Sequence, residues 1–340
     1  IFEKLEVYRT QTGQIGIIVG MYNKMHSQLL DVERPLLQER LNKIDTILER
    51  GINELNWHSE EIDAFIEETL TLVRDCSSTL QKLKQNVQQI DTILQKWQKS
   101  SLFQRKEVRT LTTRDFESRY KEMKQQYLQM VEEGSTSIRG LIGNSFEQLV
   151  NIEKDSKEWN DYVNYINEIL VSGIGKAVMV CLNDLRDQLD EEFIAKHDLN
   201  PLLEIHLSIS YNTSPIDAVF IPSLFLETPE EPSSSINHLV DEWIRDFYHI
   251  AEYVERVDSS LENVEEAKEE EGEEKVVEEI ERKVPTENYL EAIEQSNDVN
   301  ALKTNVLESL KENIEKCFKF RQVFEKFAFL WNVDREEAFK

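Results

Sequence analysis

From Ile62 to Trp97 apolar residues recur at alternating steps of four and three: Ile62, Ile66, Thr69, Val73, Cys76, Leu80, Leu83, Val87, Ile90, Leu94 and Trp97. Thr69 is the one polar member. That spacing holds a single stripe of a helix against a neighbour for about five heptads. It predicts an unbroken helix about 55 to 60 Å long at a rise of about 1.5 Å per residue, longer than a compact globule needs and suited to an extended bundle. Ser59 reads as its N-cap, with Glu60 and Glu61 at the positive end of the helix dipole. Upstream, Leu37, Leu41, Ile44, Leu48, Ile52 and Leu55 form a matching stripe after Pro35, a residue suited to a first helical turn, and Gly51 perturbs its end. The two stripes predict an antiparallel helical hairpin turning near Asn56-Trp57-His58.

The same period returns downstream. Phe116, Tyr120, Met123, Tyr127 and Met130 predict a helix that runs until Gly134. Trp159, Tyr162, Ile166 and Ile169 predict another, interrupted at Gly173 and Gly175 before Leu182, Leu185 and Leu189 begin the next, which ends ahead of Asn200-Pro201. Trp243, Phe247, Ile250 and Val254 mark a further helix. Leu307, Leu310, Ile314 and Cys317 mark the last one, continued by Phe320, Phe324, Phe327 and Trp331. This final aromatic stripe is expected to pack on these helices or on a later part of a parent chain.

Between residues 200 and 236 the period changes. Leu203, Ile205, Leu207, Ile209 and Tyr211 alternate with polar residues, the pattern of a half-buried strand. After Asn212-Thr213-Ser214-Pro215, the run Ala218-Val219-Phe220-Ile221 predicts a return strand ending at Pro222. Glu227 to Ser235 reads as a loop. A lone hairpin is marginal in water, so this one needs helices to dock on.

Composition narrows the class further. Only 10 Gly and 7 Pro occur in 340 residues, and Pro35 is the single proline before residue 200. The net charge of -27 repels nucleic acid, anionic membranes and the acidic face of a microtubule, so the expected partners are other proteins. Part of that charge is local: Glu265 to Lys283 holds ten Glu against four Lys or Arg, which reads as a solvated helix or a disordered insertion. Cys76, Cys181 and Cys317 lie far apart with no C-x-x-C, which fits a reducing compartment. The apolar run Ile15 to Tyr22 contains Gly16 and Gly20 and is too short to span a bilayer. The chain opens on Ile1 in mid-pattern, as an excised piece of something longer would.

The search for chemistry yields no site. Gly173-Ile174-Gly175-Lys176 lacks the first glycine of a phosphate loop, where Leu170 stands, and has Ala177 in place of the Mg²⁺-binding hydroxyl. Gly13, Gly16 and Gly20 do not fit a dinucleotide-binding pattern and follow no strand. Helix breaks are the expectation for both glycine groups. The histidines, His26, His58, His197, His206, His238 and His249, form no H-E-x-x-H and no Cys/His cluster. No G-x-S-x-G surrounds Ser145. The expectation is a chain with no catalytic, cofactor-binding or metal-binding residue and no cofactor.

Four groups of residues carry a family resemblance. Leu48, Gly51, Leu55, Trp57 and Ser59, followed by Phe65-Ile66, resemble the L-x-x-G-x-x-x-L-x-W-x-S stretch and F-I of the amino-terminal tail of dynein heavy chains. Trp159-Asn160-Asp161-Tyr162-Val163 resembles that family's W-x-x-Y-V. Pro201 to Leu207 with Phe220-Ile221-Pro222-Ser223-Leu224 resembles its small hairpin ending in F-x-P-S-L. Phe329 to Arg335 resembles its L-W-x-x-D-R element shortly before the motor linker. The four occur in the family's order, and the hairpin and acidic insertion look closer to axonemal outer-arm chains than to the cytoplasmic form, although the acidic run itself has no place in a family-wide pattern.

The resemblance implies an all-α fold of elongated tandem helical bundles with long heptad helices and one small β-hairpin. In chain order these are helices of a first bundle over 1–55, long-helix bundles over 56–200, the hairpin and a Pro/Ser-rich loop over 201–235, and C-terminal helices over 236–340 with the acidic insertion at 262–284. It further implies a non-catalytic tail segment of a microtubule motor in the cytoplasm, cytoskeleton and ciliary axoneme. Such a tail binds WD-repeat intermediate chains, light chains and other heavy chains and transmits force, while the ATPase ring and microtubule-binding stalk lie elsewhere in the parent. The rival readings are a spectrin-like scaffold or tether, whose internal repeat is not visible here, and an enzyme with no recognisable motif.

Overall fold

Long apolar seams with almost no proline leave helix as the backbone arrangement that buries a stripe while satisfying every amide. The computed structural model describes residues 2–103, 113–199, 206–213, 220–227, 232–258, 285–327 and 329. Among these the elements are α1 (Phe2–Gln28), α2 (Arg34–Asn53), α3 (Ile62–Gln98), α4 (Thr113–Glu147), α5 (Lys157–Asp187), α6 (Glu191–Lys196), β1 (His206–Thr213), β2 (Phe220–Glu227), α7 (Pro232–Glu252), α8 (Leu290–Glu294) and α9 (Asn297–Lys326). The fold is all-α helical bundle in class. The acidic run, residues 104–112 and the residues after Phe329 lie outside the described residues.

Two units make up the chain, each assembled from three separated segments. The first comprises Ile1–Lys96, Glu132–Gly173 and Glu255–Glu287, and the second Trp97–Val131, Ile174–Val254 and Asn288–Lys340. Both α4 and α5 therefore contribute one part to each unit, whereas the sequence reading divided the chain in simple order at 55, 200 and 235.

In the first unit α1, α2 and α3 bury Ile18, Met25, Leu37, Leu41, Ile44, Ile66, Val73 and Leu80 in one apolar cluster. Every member of the 62–97 seam is buried except Val87, which is half-buried. Thr69, its polar member, is tolerated there because its Oγ1 donates to the Phe65 carbonyl at 2.7 Å. In the second unit Phe103, Tyr127, Cys181, Leu182, Trp243, Phe247, Tyr289, Val306 and Leu310 are buried. Phe103 and Tyr120 lie against the Trp243 ring, with centroids 4.8 Å and 6.1 Å away.

Several local expectations are corrected. The expected breaks at Gly134, at Gly173 and Gly175, and at Gly13, Gly16 and Gly20 are absent: α4, α5 and α1 run through them. A helical glycine costs only about 1 kcal/mol relative to alanine, and Gly173 has a packing reason, since a Cβ there would sit 2.6 Å from Leu94 Cδ1. Ile52 does not belong to the α2 stripe and is 81% exposed. The four-three step from Leu48 lands on Gly51 instead, and the Phe65 ring fills the space a side chain at Gly51 would need. Ser59 does not cap α3 with its side chain. Its Oγ accepts from Asn56 N–H at 3.1 Å and so ties the turn between α2 and α3 onto itself.

The expected loop at 227–235 is shorter, because α7 already begins at Pro232, whose missing N–H has no partner to lose in a first turn. β1 and β2 pair antiparallel with His206 opposite Glu227, Ile209 opposite Leu224 and Thr213 opposite Phe220. The second strand thus continues through Pro222 instead of ending there. In a two-stranded ribbon each strand has a free edge, where the missing proline donor is tolerated.

Candidate interaction surfaces

Each feature that the sequence singled out for chemistry takes a structural place. Gly173-Ile174-Gly175-Lys176 lies in mid-helix, so its amides are committed to the helix ladder and form no cradle for phosphate. His238 and His249 sit on α7 beside carboxylates, with His249 Nε2 3.5 Å from Glu252 and its Nδ1 4.0 Å from Asp246. Among the described residues no group of three or more His, Cys, Asp or Glu is gathered in metal-ligand geometry. All three cysteines are free. Burial pushes the Cys76 and Cys181 thiols up to about 11, while half-buried Cys317 is raised by the same cause. Iodoacetamide at neutral pH is therefore expected to label Cys317 first and to reach Cys76 and Cys181 only in denaturant, as read by peptide mass spectrometry. Labelling of Cys76 at the rate of Cys317 in the native state would show that the first unit opens.

Polar networks that periodicity does not reveal tie the helices together. Glu33, in the turn before α2, is 1% exposed; its carboxylate accepts from Leu30 N–H at 2.9 Å and from Lys84 Nζ of α3 at 3.0 Å. Lys84→Met strands that carboxylate, and because Lys84 is partly open to water the expected loss is about 2 kcal/mol. A urea midpoint that falls in Lys84→Met and recovers in a Glu33→Leu/Lys84→Met double variant is the expected result. An unchanged midpoint in the single variant would mean that water already solvates Glu33. In the second unit Asp246 of α7 accepts from Tyr120 Oη at 3.0 Å and Lys124 Nζ at 2.6 Å, both on α4. Burial and the Asp246 carboxylate push the Tyr120 phenol far above its ordinary range, and burial holds His249 below the usual imidazole range. Tyr120 is thereby a fixed donor, and with Lys124 it ties α4 to Asp246 of α7, the arrangement of a brace between helices.

The residues of the family-like motifs pack on one another. Gly51 receives Phe65, Trp57 stands edge-on to Tyr8 with centroids 6.4 Å apart, and His58 Nδ1 lies 3.3 Å from Tyr8 Oη. At the start of α5 the Ser156 Oγ accepts from Trp159 N–H at 3.3 Å, an N-cap that places Trp159 against Tyr162 and Phe146. By length and composition α5 is apolar enough to cross a membrane. In the fold its Tyr162, Ile166, Leu170, Ile174, Val178 and Leu182 are buried, as in a core helix.

Among the described residues, large apolar side chains exposed on α1 include Phe2, Leu5, Ile17 and Val19, and those on the last turns of α9 include Phe320, Val323 and Phe327; others, such as Ile52, Val150 and Leu239, stand singly. The sequence reading expected the α9 aromatics to pack on these helices or on a later part of a parent chain; the described helices cover Phe324 in part and leave Phe320 and Phe327 open, and Trp331 lies outside the described residues.

The class these features define is a helical-bundle protein built from long amphipathic helices. Residues 1–65 match the family model for the dynein heavy chain, N-terminal region 1. The chain is 28% identical over 334 residues to the dynein beta chain of the flagellar outer arm of Chlamydomonas reinhardtii, an alignment covering 98% of this chain and 7% of that protein. It is 27% identical over 337 residues to the ciliary dynein beta chain of Heliocidaris crassispina, covering 99% of this chain and 7% of the relative. It is 26% identical over 341 residues to mouse (Mus musculus) dynein axonemal heavy chain 17, covering 100% and 7%. The chain thus spans about 7% of the length of the curated relatives it matches. The resemblance to the amino-terminal region of axonemal dynein heavy chains, first carried by four short motifs, extends along the whole chain.

Proposed function

We propose that this chain is a tail segment of an axonemal microtubule motor, a helical scaffold in the ciliary axoneme that holds intermediate and light chains and transmits force between the motor and its attachment. The observation that carries this reading is the alignment with flagellar, ciliary and axonemal heavy chains along 98–100% of the chain. Physical features support it. Long helices braced by buried polar pairs resist bending, and a net charge of -27 leaves proteins with basic surfaces as partners in preference to acidic polymers. Catalysis has no part in the proposed role.

The test is capture of the purified chain on immobilised WD-repeat intermediate chain from an axonemal dynein. Capture is expected, with association faster at low ionic strength as an acidic surface meets a basic one. Absence of capture by intermediate and light chains at every salt concentration would assign subunit binding to another part of the tail and leave this stretch as a spacer.

A further inference from the structure

The core-facing stripe of α9 continues from its first half into half-buried Cys317 and Phe324, and a second apolar stripe beside it stands exposed. Val306, Leu310 and Ile314 are buried, at most 9% exposed, whereas Phe320, Val323 and Phe327 are 56%, 51% and 49% exposed. At about 100° per residue these three fall on one stripe, with half-buried Phe324 beside them. The same spacing puts Lys319 and Lys326 along one border of the stripe and Arg321, which also reaches Glu325 at 2.8 Å, along the other. From Lys316 to Phe327 the sequence holds four cations and one carboxylate, in a chain whose overall charge is -27, and of these cations Lys316 pairs with Glu191 of α6 at 3.0 Å. A bare aromatic stripe edged with positive charge is thus a local exception on an acidic molecule.

We propose that this face of α9 docks a helix of another polypeptide, one that carries an apolar stripe edged with Asp or Glu. The inference rests on the scaffold reading and specifies one of its contact surfaces. Charge decides the occupant. A second copy of α9 would bring Lys and Arg against Lys and Arg across a symmetric contact, which is unfavourable. An anionic membrane or nucleic acid extends well past α9 and meets the acidic remainder of the molecule, whereas a single helix keeps its carboxylates within a screening length of the α9 cations. A helix with acidic edges satisfies both requirements, burying its apolar residues on Phe320, Val323 and Phe327 while its carboxylates meet Lys319, Arg321 and Lys326.

The experiment uses the whole chain and two fluorescent synthetic helices with one leucine stripe, edged with Glu in the first and with Lys in the second. Fluorescence anisotropy is expected to show the Glu-edged helix binding about tenfold or more tightly than the Lys-edged one at low salt. Lys319→Glu/Lys326→Glu should invert that preference, and Phe320→Ala/Phe327→Ala should abolish both; because the substituted side chains are exposed, the folded helix content should not change. Equal binding of the two helices, or none, overturns the proposal. So does a concentration-dependent dimer removed by the phenylalanine substitutions, or sedimentation with phosphatidylserine vesicles. Protection of α9 in footprinting of the isolated full-length polypeptide also overturns it, since the stripe would then be covered from within. If the intermediate-chain capture persists in the phenylalanine variant while neither helix binds, this inference fails and the scaffold reading stands. With capture lost and helix binding intact, the scaffold reading fails and the docking face stands.

Discussion

Leu83→Asp is expected to unfold the first unit at physiological temperature. Leu83 lies at the middle of α3 with no exposed surface, among seam residues Leu80 and Ile90 that are themselves buried. A carboxylate at that position loses its water without gaining a cation, and the loss of about 4 kcal/mol or more compares with a total reserve of about 5–15 kcal/mol for an ordinary domain. Leu83→Ala, which only empties the space, should cost less, about 2–5 kcal/mol. Circular dichroism melts and limited proteolysis between residues 62 and 97 provide the readout. A melting curve identical to that of the parent chain would place this face of α3 in solvent and remove the basis of the bundle.

Trp159→Ala should have the next largest effect, about 3–5 kcal/mol, the range for emptying a large aromatic site in a packed core. Trp159 is fully buried, stacked on Tyr162 with centroids 5.6 Å apart and edge-on to Phe146 at 5.0 Å. The substitution leaves both rings facing a void at the point where α5 begins. Trp159→Phe should retain most of the stability, because a ring of similar shape keeps the contacts. Urea titrations of the two variants would separate them by their midpoints. A loss in Trp159→Phe as large as that in Trp159→Ala would point to the indole N–H as the important group, in place of the ring packing argued here.

The W-x-x-Y-V resemblance thereby acquires a physical meaning, since its Trp and Tyr are the pair that stacks. The same holds for the L-x-x-G motif: Gly51 is small because Phe65 occupies its space, and the stripe that the eye extends to Ile52 passes through the glycine. Motif residues such as these organise packing, so the resemblance located the fold of the chain and named no chemical site.

The sequence by itself determined the helical class, the extent of the long α3 seam and the position of the change to period two after Asn200. Each rests on spacing along one element, which a chain displays whether or not it is folded. It also determined the charge that directs the search for partners towards proteins. Only the tertiary structure decided where helices truly end. Gly134, Gly173 and Gly175 look like breaks in isolation, yet α4 and α5 continue through them because packing outweighs a local cost of about 1 kcal/mol per glycine. It alone decided that Glu33 is buried on Lys84 and that Asp246 gathers Tyr120 and Lys124, pairs separated by 51, 126 and 122 residues. The exposure of Phe320, Val323 and Phe327 was hidden for the same reason: an apolar stripe looks alike in sequence whether a neighbour covers it or not, and only the arrangement of the other helices reveals where the cover stops.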